Sequence, residues 1–353
     1  MTRYPKTIIL IFLIAALIAA IAWTSYTGYR IWPAGAGGNP TTSIAAASST
    51  VPHVILTAPA SSQGSAIAGG SQAGSDGVSP DGAAASTPAV PYYGASDTAG
   101  SVYARIATTS VPVFERESYV VRDVTNGVTL ASMNQHDRWP TASLTKLMTA
   151  TLVLDHFSMN TEITITPQMM AIDPTQVALQ IDGTYTVYDL LHAMLMPSNN
   201  VAAEAFAEYY GYHNFMAAMN ARAAAWGMTD THFNDPSGLS SANESSAHDL
   251  AVLATHVYQE YPQILAISNT PTFALTNLAN GQTHEIASIN EFAGTPGFIG
   301  GKTGYIPESR DNLISLFRVD GHPLLIVVLG AKDTAARFSD TTALLDWVRT
   351  DYN

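Results

Sequence analysis

Residues 31–100 set the first limit on what this chain can fold into. They are mostly Ala, Gly, Ser, Thr and Pro, as in "GGSQAGSDGVSPDGAAASTPAVP" (69–91). No helical or strand periodicity is sustained there, and the one short apolar piece, "HVILT" (53–57), cannot make a core. The composition predicts a disordered linker. A stable fold therefore has to come from 101–353.

In front of the linker, residues 8–23, "IILIFLIAALIAAIAW", form an unbroken apolar run preceded by Arg3 and Lys6. Positive charge ahead of such a run predicts an N-terminus inside and the remainder outside. Trp23, Tyr26 and Tyr29 follow, in the manner of an interfacial aromatic belt. The run is short for a spanning helix and long for a signal core. Residues 1–30 are expected to be a membrane anchor, with a signal cleaved after Ala20-Ile21-Ala22 as the alternative. A flexible tether of the linker's length spans roughly 45 Å r.m.s.. Such a reach suits a folded part tethered to the cytoplasmic membrane that works outside it, in the cell envelope.

From about residue 101 the pattern turns globular. "SYVVRDVTNGVTLASM" (118–133) places two apolar runs around Asn126-Gly127, a hairpin signal. "SLTKLMTATLVLDHF" (143–157), "VYDLLHAML" (187–195), "VAAEAFAEYYG" (201–211) and "AHDLAVLATHVYQEY" (247–261) have helical periodicity. "NLISLFRVDGHPLLIVVLGA" (312–331) is a second hairpin turning near Asp320-Gly321, and 336–352 closes as a helix. Strands at both ends with helices between predict an α+β fold whose terminal strands share one antiparallel sheet.

Net charge is −13, and residues 1–100 sum to zero, so the excess acid lies in the globular part. An acidic body without a basic patch argues against a nucleic-acid partner. Absence of cysteine excludes disulfides, thiolate metal sites and a Cys nucleophile.

"GTPGFIGGKTG" (294–304) ends like a phosphate-binding loop, but that motif needs a Gly at 296, where Pro296 stands, and a helix where Gly304 and Pro307 follow. "HEIAS" (284–288) begins like a zinc-binding helix and ends on Ser288 instead of His. Neither a metal nor an organic cofactor is expected.

Another set of residues carries chemistry. Ser143 and Lys146 form Ser-x-x-Lys at the start of a helix, one turn apart on one face. A serine hydroxyl needs a base, and Lys146 serves if burial and a neighbouring cation lower its pKa. Ser198-Asn199-Asn200 gives Ser-x-Asn on a loop between two helices, and Lys302-Thr303-Gly304 falls on a strand edge.

These three motifs, in this order, resemble those of penicillin-binding proteins and serine β-lactamases. Residues 101–353 resemble the serine D-Ala-D-Ala carboxypeptidases, the low-molecular-weight penicillin-binding proteins. "WPTASLTKLMTA", "LLHAMLMPSNNVAAEAFAE", "THFNDPSGL", "GGKTGY" and "IVVLGAKDTAARFSDTTALLDWV" carry the likeness. It implies the DD-peptidase/β-lactamase fold, an antiparallel sheet flanked by helices and joined to a helical lobe. Ser143 would be the acylated nucleophile, Lys146 its base, Ser198 a proton relay to the leaving group and Asn200 a ligand of the substrate backbone. Lys302 and Thr303 would hold the terminal carboxylate, with Arg337 helping. Gly304 would admit close approach of the ligand, and the N–H groups of Ser143 and Tyr305 would form an oxyanion hole. The implied substrate is the D-Ala-D-Ala end of a peptidoglycan stem peptide, with β-lactam antibiotics as inhibitors.

Two departures stand out. Relatives usually carry Ala-Gly where this chain has Ser309-Arg310, which puts Arg310 at the expected rim of the cleft. The small β-rich domain and C-terminal anchor of many relatives have no counterpart, so the N-terminal run would take over anchoring. Three functions fit one fold: a D,D-carboxypeptidase or D,D-endopeptidase, a β-lactamase, or a wall-binding module without activity. Class A β-lactamases use a Glu to activate the deacylating water. "THFNDPSGLS" (231–240) has none, Glu244 lying just outside, which favours the peptidase. The intact nucleophile and lysines argue against a mere binding module.

Overall fold

The computed structural model describes residues 103–175 and 178–352. The N-terminal apolar run and the linker expected over 31–100 lie outside the described residues. No helix among the described residues is long and apolar enough to cross a membrane.

Among the described residues the first strands are β1 (Ser118–Asp123) and β2 (Thr129–Met133), the hairpin expected around Asn126-Gly127. Gly127 has φ 73°, a turn conformation that glycine enters without a Cβ penalty. The short β3 (Trp139–Pro140) then leads into a 3-10 turn, Ala142–Thr145, and helix α1 (Lys146–His156). Next come β4 (Glu162–Thr164), α2 (Pro167–Ala171), β5 (Thr184–Thr186), α3 (Val187–Leu195), α4 (Asn200–Tyr210) and α5 (Tyr212–Ala225). β6 (Glu244–Ser245), α6 (Ala247–Glu260) and α7 (Pro262–Ser268) complete the helical lobe. The hairpin β7 (Thr272–Asn277) and β8 (Gln282–Ala287) precedes β9 (Phe298–Ile306), β10 (Arg310–Val319), β11 (His322–Ala331) and α8 (Thr334–Asp351).

The main sheet has the order β2-β1-β11-β10-β9. β1 pairs antiparallel with β11, so the terminal strands do join one sheet. In β11, Leu325, Val327 and Leu329 enter the core shared with the helical lobe, whereas Leu324, Ile326 and Val328 pack with Leu344, Trp347 and Val348 of α8. This two-residue alternation explains why "PLLIVVL" reads as continuous apolar sequence: both faces of the strand are covered. β9 is one of the two edge strands, and at Gly304 it lies against the turn that holds Ser143.

Three details correct or extend the sequence reading. Lys302-Thr303-Gly304 lies within β9 and opens no helix, which removes a phosphate loop. His284 and Glu285 lie in β8, so the zinc-helix spacing has no helix to act on. Asn280-Gly281, with Gly281 at φ 70°, closes the β7–β8 hairpin. That dipeptide is the turn signal which announces the hairpin.

Candidate active site

Ser143 sits in the 3-10 turn ahead of α1, one turn from Lys146. Lys146 is fully buried, and its Nζ donates to Ser143 Oγ at 2.9 Å, Asn200 Oδ1 at 2.6 Å and the Ser237 carbonyl at 2.6 Å. An ammonium removed from water loses solvation that three acceptors only partly restore. Burial accordingly pulls the Lys146 pKa down to about 7, against the opposing fields of Asp235 and Asp173.

Asn200 is the first residue of α4, and the Asn199 side chain caps that helix by accepting from Ala202 N–H at 2.9 Å. The cap aims the Asn200 amide inward, where Nδ2 donates to Asp173 Oδ2 at 2.7 Å. Ser198, just before the cap, has φ 64°, an uncommon conformation for a residue with a side chain. It presents Oγ to Lys302 Nζ at 2.8 Å.

Lys302 enters from the edge strand and is 1% exposed. Its Nζ also donates to the Thr303 carbonyl at 2.9 Å. Burial, with Lys146 and then Arg337 as like charges, holds its pKa well below the ordinary lysine value. At Gly304 an added Cβ would stand 2.9 Å from the Thr141 carbonyl oxygen and 3.3 Å from Ala142 Cβ, so glycine sets how closely β9 approaches the Ser143 turn. Thr303 is buried beside Lys302, while the Tyr305 side chain is exposed.

Arg337 lies behind this strand. Its NH1 pairs with Asp311 Oδ1 at 3.0 Å and donates to the Gly304 carbonyl at 3.4 Å. The structure thus brings together Ser143, Lys146, Ser198, Asn200, Lys302 and Gly304, and gives Arg337 a partner already in place. Ser309 and Arg310 each have partners already in place. Ser309 Oγ is bonded within its own turn, and Arg310 pairs with Glu117 and lies over the Trp139 ring, 5.7 Å from its centre. Arg310 holds φ 53°, a left-handed conformation that a glycine takes without strain.

Residues 105–333 match the family of D-alanyl-D-alanine carboxypeptidases. The chain belongs to that family. This carboxypeptidase is 30% identical over 247 residues to D-alanyl-D-alanine carboxypeptidase DacB2 of Mycobacterium tuberculosis, covering 67% of this chain and 84% of the relative. It is 34% identical over 245 residues to the D-alanyl-D-alanine endopeptidase of Pseudomonas aeruginosa, covering 66% of this chain and 77% of that one. Among solved structures, a D-alanyl-D-alanine carboxypeptidase from M. tuberculosis superposes with TM-score 0.64 at 28% identity, covering 69% and 94% of the two chains. The Streptomyces K15 DD-transpeptidase does so with TM-score 0.64 at 25% identity, covering 69% and 100%. The DD-peptidase fold is therefore the fold of this carboxypeptidase.

Sequence reasoning missed the groups that hold the carboxypeptidase's motifs in place. Asp235 accepts from Ser237 N–H and Oγ, Gly238 N–H, Leu239 N–H, Ser240 N–H and Asn243 Nδ2. Burial alone would raise its pKa, but these donors, chiefly from Ser240, Ser237 and Gly238, outweigh burial and hold it low. The knot points the Ser237 carbonyl at Lys146. Gly238, at φ 85°, packs so tightly that a Cβ would lie 1.8 Å from the Ala142 carbonyl oxygen. Asn312 is a second brace: its Nδ2 donates to the Pro140 carbonyl at 2.9 Å, and its Oδ1 accepts from Gly330 N–H. "NDPSG" did carry an Asp-Pro-x-Gly turn signal; its partner across the fold is tertiary information.

Among the described residues, no group of three or more His, Cys, Asp or Glu is arranged to hold a metal ion.

Proposed function

We propose that this D-alanyl-D-alanine carboxypeptidase works through a Ser143 acyl-enzyme, formed on the terminal D-Ala-D-Ala of peptidoglycan stem peptides. The observation that carries this reading is the 2.9 Å contact between Ser143 Oγ and a lysine buried without a neighbouring carboxylate bonded to it. Neutral Lys146 takes the Ser143 proton as Oγ attacks the carbonyl of the penultimate D-Ala. The N–H groups of Ser143 and Tyr305 receive the developing oxyanion, each donor worth roughly 3 kcal/mol of barrier. Ser198, bonded to Lys302, passes a proton to the departing amine, and water then releases the acyl group.

Lys302 and Thr303, with Arg337 and Asp311 behind them, form the seat for the terminal carboxylate. A carboxylate there favours the charged form of Lys302, and charged Lys302 favours neutral Lys146. Substrate binding and activation of the base are coupled in this way. β-Lactams acylate the same serine and leave slowly.

A second reading, D,D-endopeptidase action on crosslinks, is supported by similarity to the P. aeruginosa endopeptidase, which is as extensive as that to the carboxypeptidase. β-Lactamase action is disfavoured, because Glu244 is paired with Arg138 at 3.1 Å and Asp235 is occupied by its six donors. The N-terminal apolar run with Arg3 and Lys6 supports a tether to the cytoplasmic membrane and an extracytoplasmic catalytic domain.

The test supplies three substrates to the full chain: a stem pentapeptide, a crosslinked peptide dimer and a chromogenic cephalosporin. Release of D-Ala from the pentapeptide is the expected result. Cleavage of the dimer in preference to the pentapeptide selects the endopeptidase, and fast multiple turnover of the cephalosporin alone contradicts both.

A further inference from the structure

β3 and β6 pair Trp139 with Ser245 and Pro140 with Glu244. Just beyond this pair, His136 lies beside His248 in the first turn of α6. The two segments do stay together that far, since His248 N–H donates to the Gln135 carbonyl at 2.8 Å. The imidazole centroids lie 4.7 Å apart with their planes inclined at 35°.

Each ring is oriented by a carboxylate on the same nitrogen. His136 Nδ1 stands 3.3 Å from Asp230 Oδ2, and His248 Nδ1 stands 3.2 Å from Asp249 Oδ1. The carboxylates are themselves fixed. Asp230 Oδ2 accepts from Ser246 Oγ at 3.2 Å, and Asp249 Oδ2 accepts from Asp230 N–H at 2.7 Å and Thr231 Oγ1 at 2.8 Å. An imidazole that donates through Nδ1 keeps its lone pair on Nε2. Carboxylate-to-Nδ1 support of this kind is the usual outer shell of a metal-bound histidine.

We propose that His136 and His248 bind one divalent transition cation of the zinc type through their Nε2 atoms. Two imidazoles on one zinc ion, each nitrogen about 2.0–2.1 Å from the metal, bring their ring centres to about 5 Å apart. The observed separation is close to that. The His136 side chain is 60% exposed and that of His248 32%, which leaves the outer side open to water ligands. Two protein ligands completed by water make an exchangeable site, unlike a closed structural one. Its effect falls on the nucleophile. The β3–β6 pair continues as Thr141 N–H donating to the Asn243 carbonyl at 2.8 Å, two residues before Ser143. A cation joining the two histidines clamps the strand pair that leads into the Ser143 turn.

The test is calorimetric titration of the chelator-treated full chain with zinc chloride at about pH 7.5, where imidazole is mostly neutral. One ion bound per chain is expected, with affinity lowered at least about tenfold in His136→Ala and in His248→Ala and by about tenfold in Asp230→Asn. No saturable binding by the wild type, or equal binding by the His136→Ala/His248→Ala double variant, overturns the proposal. Imidazole resonances of the wild type serve if a variant folds poorly. Zinc has to shift those of His136 and His248 first and spare His156 and His213; uniform shifts, or none, contradict the site.

Discussion

Lys146 Nζ lies 2.9 Å from Ser143 Oγ while Lys146 is as buried as the leucines around it. Its other two acceptors, Asn200 Oδ1 and the Ser237 carbonyl, are neutral. A carboxylate in either place would hold the lysine charged and spoil it as a base. The nearest fixed anions, Asp235 and Asp173, act one shell further out, each with its charge engaged by hydrogen bonds.

In the proposed mechanism, acylation follows the deprotonation of this lysine. Its folded pKa is lowered from 10.5 to about 7, so the reactive neutral form grows as pH rises through that value. Well below the midpoint, the second-order rate of labelling by a penicillin falls about tenfold per pH unit. A rate independent of pH between about 5 and 8 contradicts Lys146 as the base.

Gly238 is packed directly against the Ser143 turn. Gly238→Ala places a Cβ 1.8 Å from the Ala142 carbonyl oxygen and at a positive φ. Overpacking and left-handed strain together cost about 3 kcal/mol or more. The expected outcome is a fall in thermal midpoint together with loss of penicillin labelling. Gly227→Ala, where no atom lies within 4 Å, shares the backbone strain without the clash and should keep its labelling.

Glu204, one turn beyond Asn200 on α4, gives a stability signature. Burial, with Glu208 and Asp235 as added like charges, raises its carboxyl from 4.5 to about 7. A raised folded pKa means the folded state binds the extra proton. The protonated group's advantage is full below the unfolded pKa and is lost as pH rises through the folded one. The shift corresponds to roughly 3 kcal/mol unscreened, and partial exposure reduces this to about 1 kcal/mol. Glu204→Gln should therefore gain about 1 kcal/mol over wild type at pH 8 and nothing at pH 4, by urea denaturation. A gain independent of pH contradicts the assignment.

Much of this site was legible in sequence because its chemistry is carried by short motifs on regular elements. Ser143 and Lys146 lie one turn apart at the start of a helix, and Lys302 falls in a strand flanked by Gly301 and Thr303. The hairpins at Asn126-Gly127 and Asp320-Gly321 were set by residues that accept positive φ. What escaped were contacts between distant segments. The Ser237 carbonyl under Lys146, Asp173 behind Asn200 and Asp311 on Arg337 follow from packing, which no local pattern encodes. The partners of Arg310 escaped for the same reason, since Glu117 and Trp139 are remote from it in sequence.

The central claim is that Ser143 is the acylated atom. Intact-mass measurement after incubation with benzylpenicillin, followed by peptide mapping, tests it most directly. The account predicts one penicilloyl group per chain, on the peptide containing Ser143, and none in Ser143→Ala. An adduct on any other residue, or undiminished labelling of the Ser143→Ala variant, would contradict it.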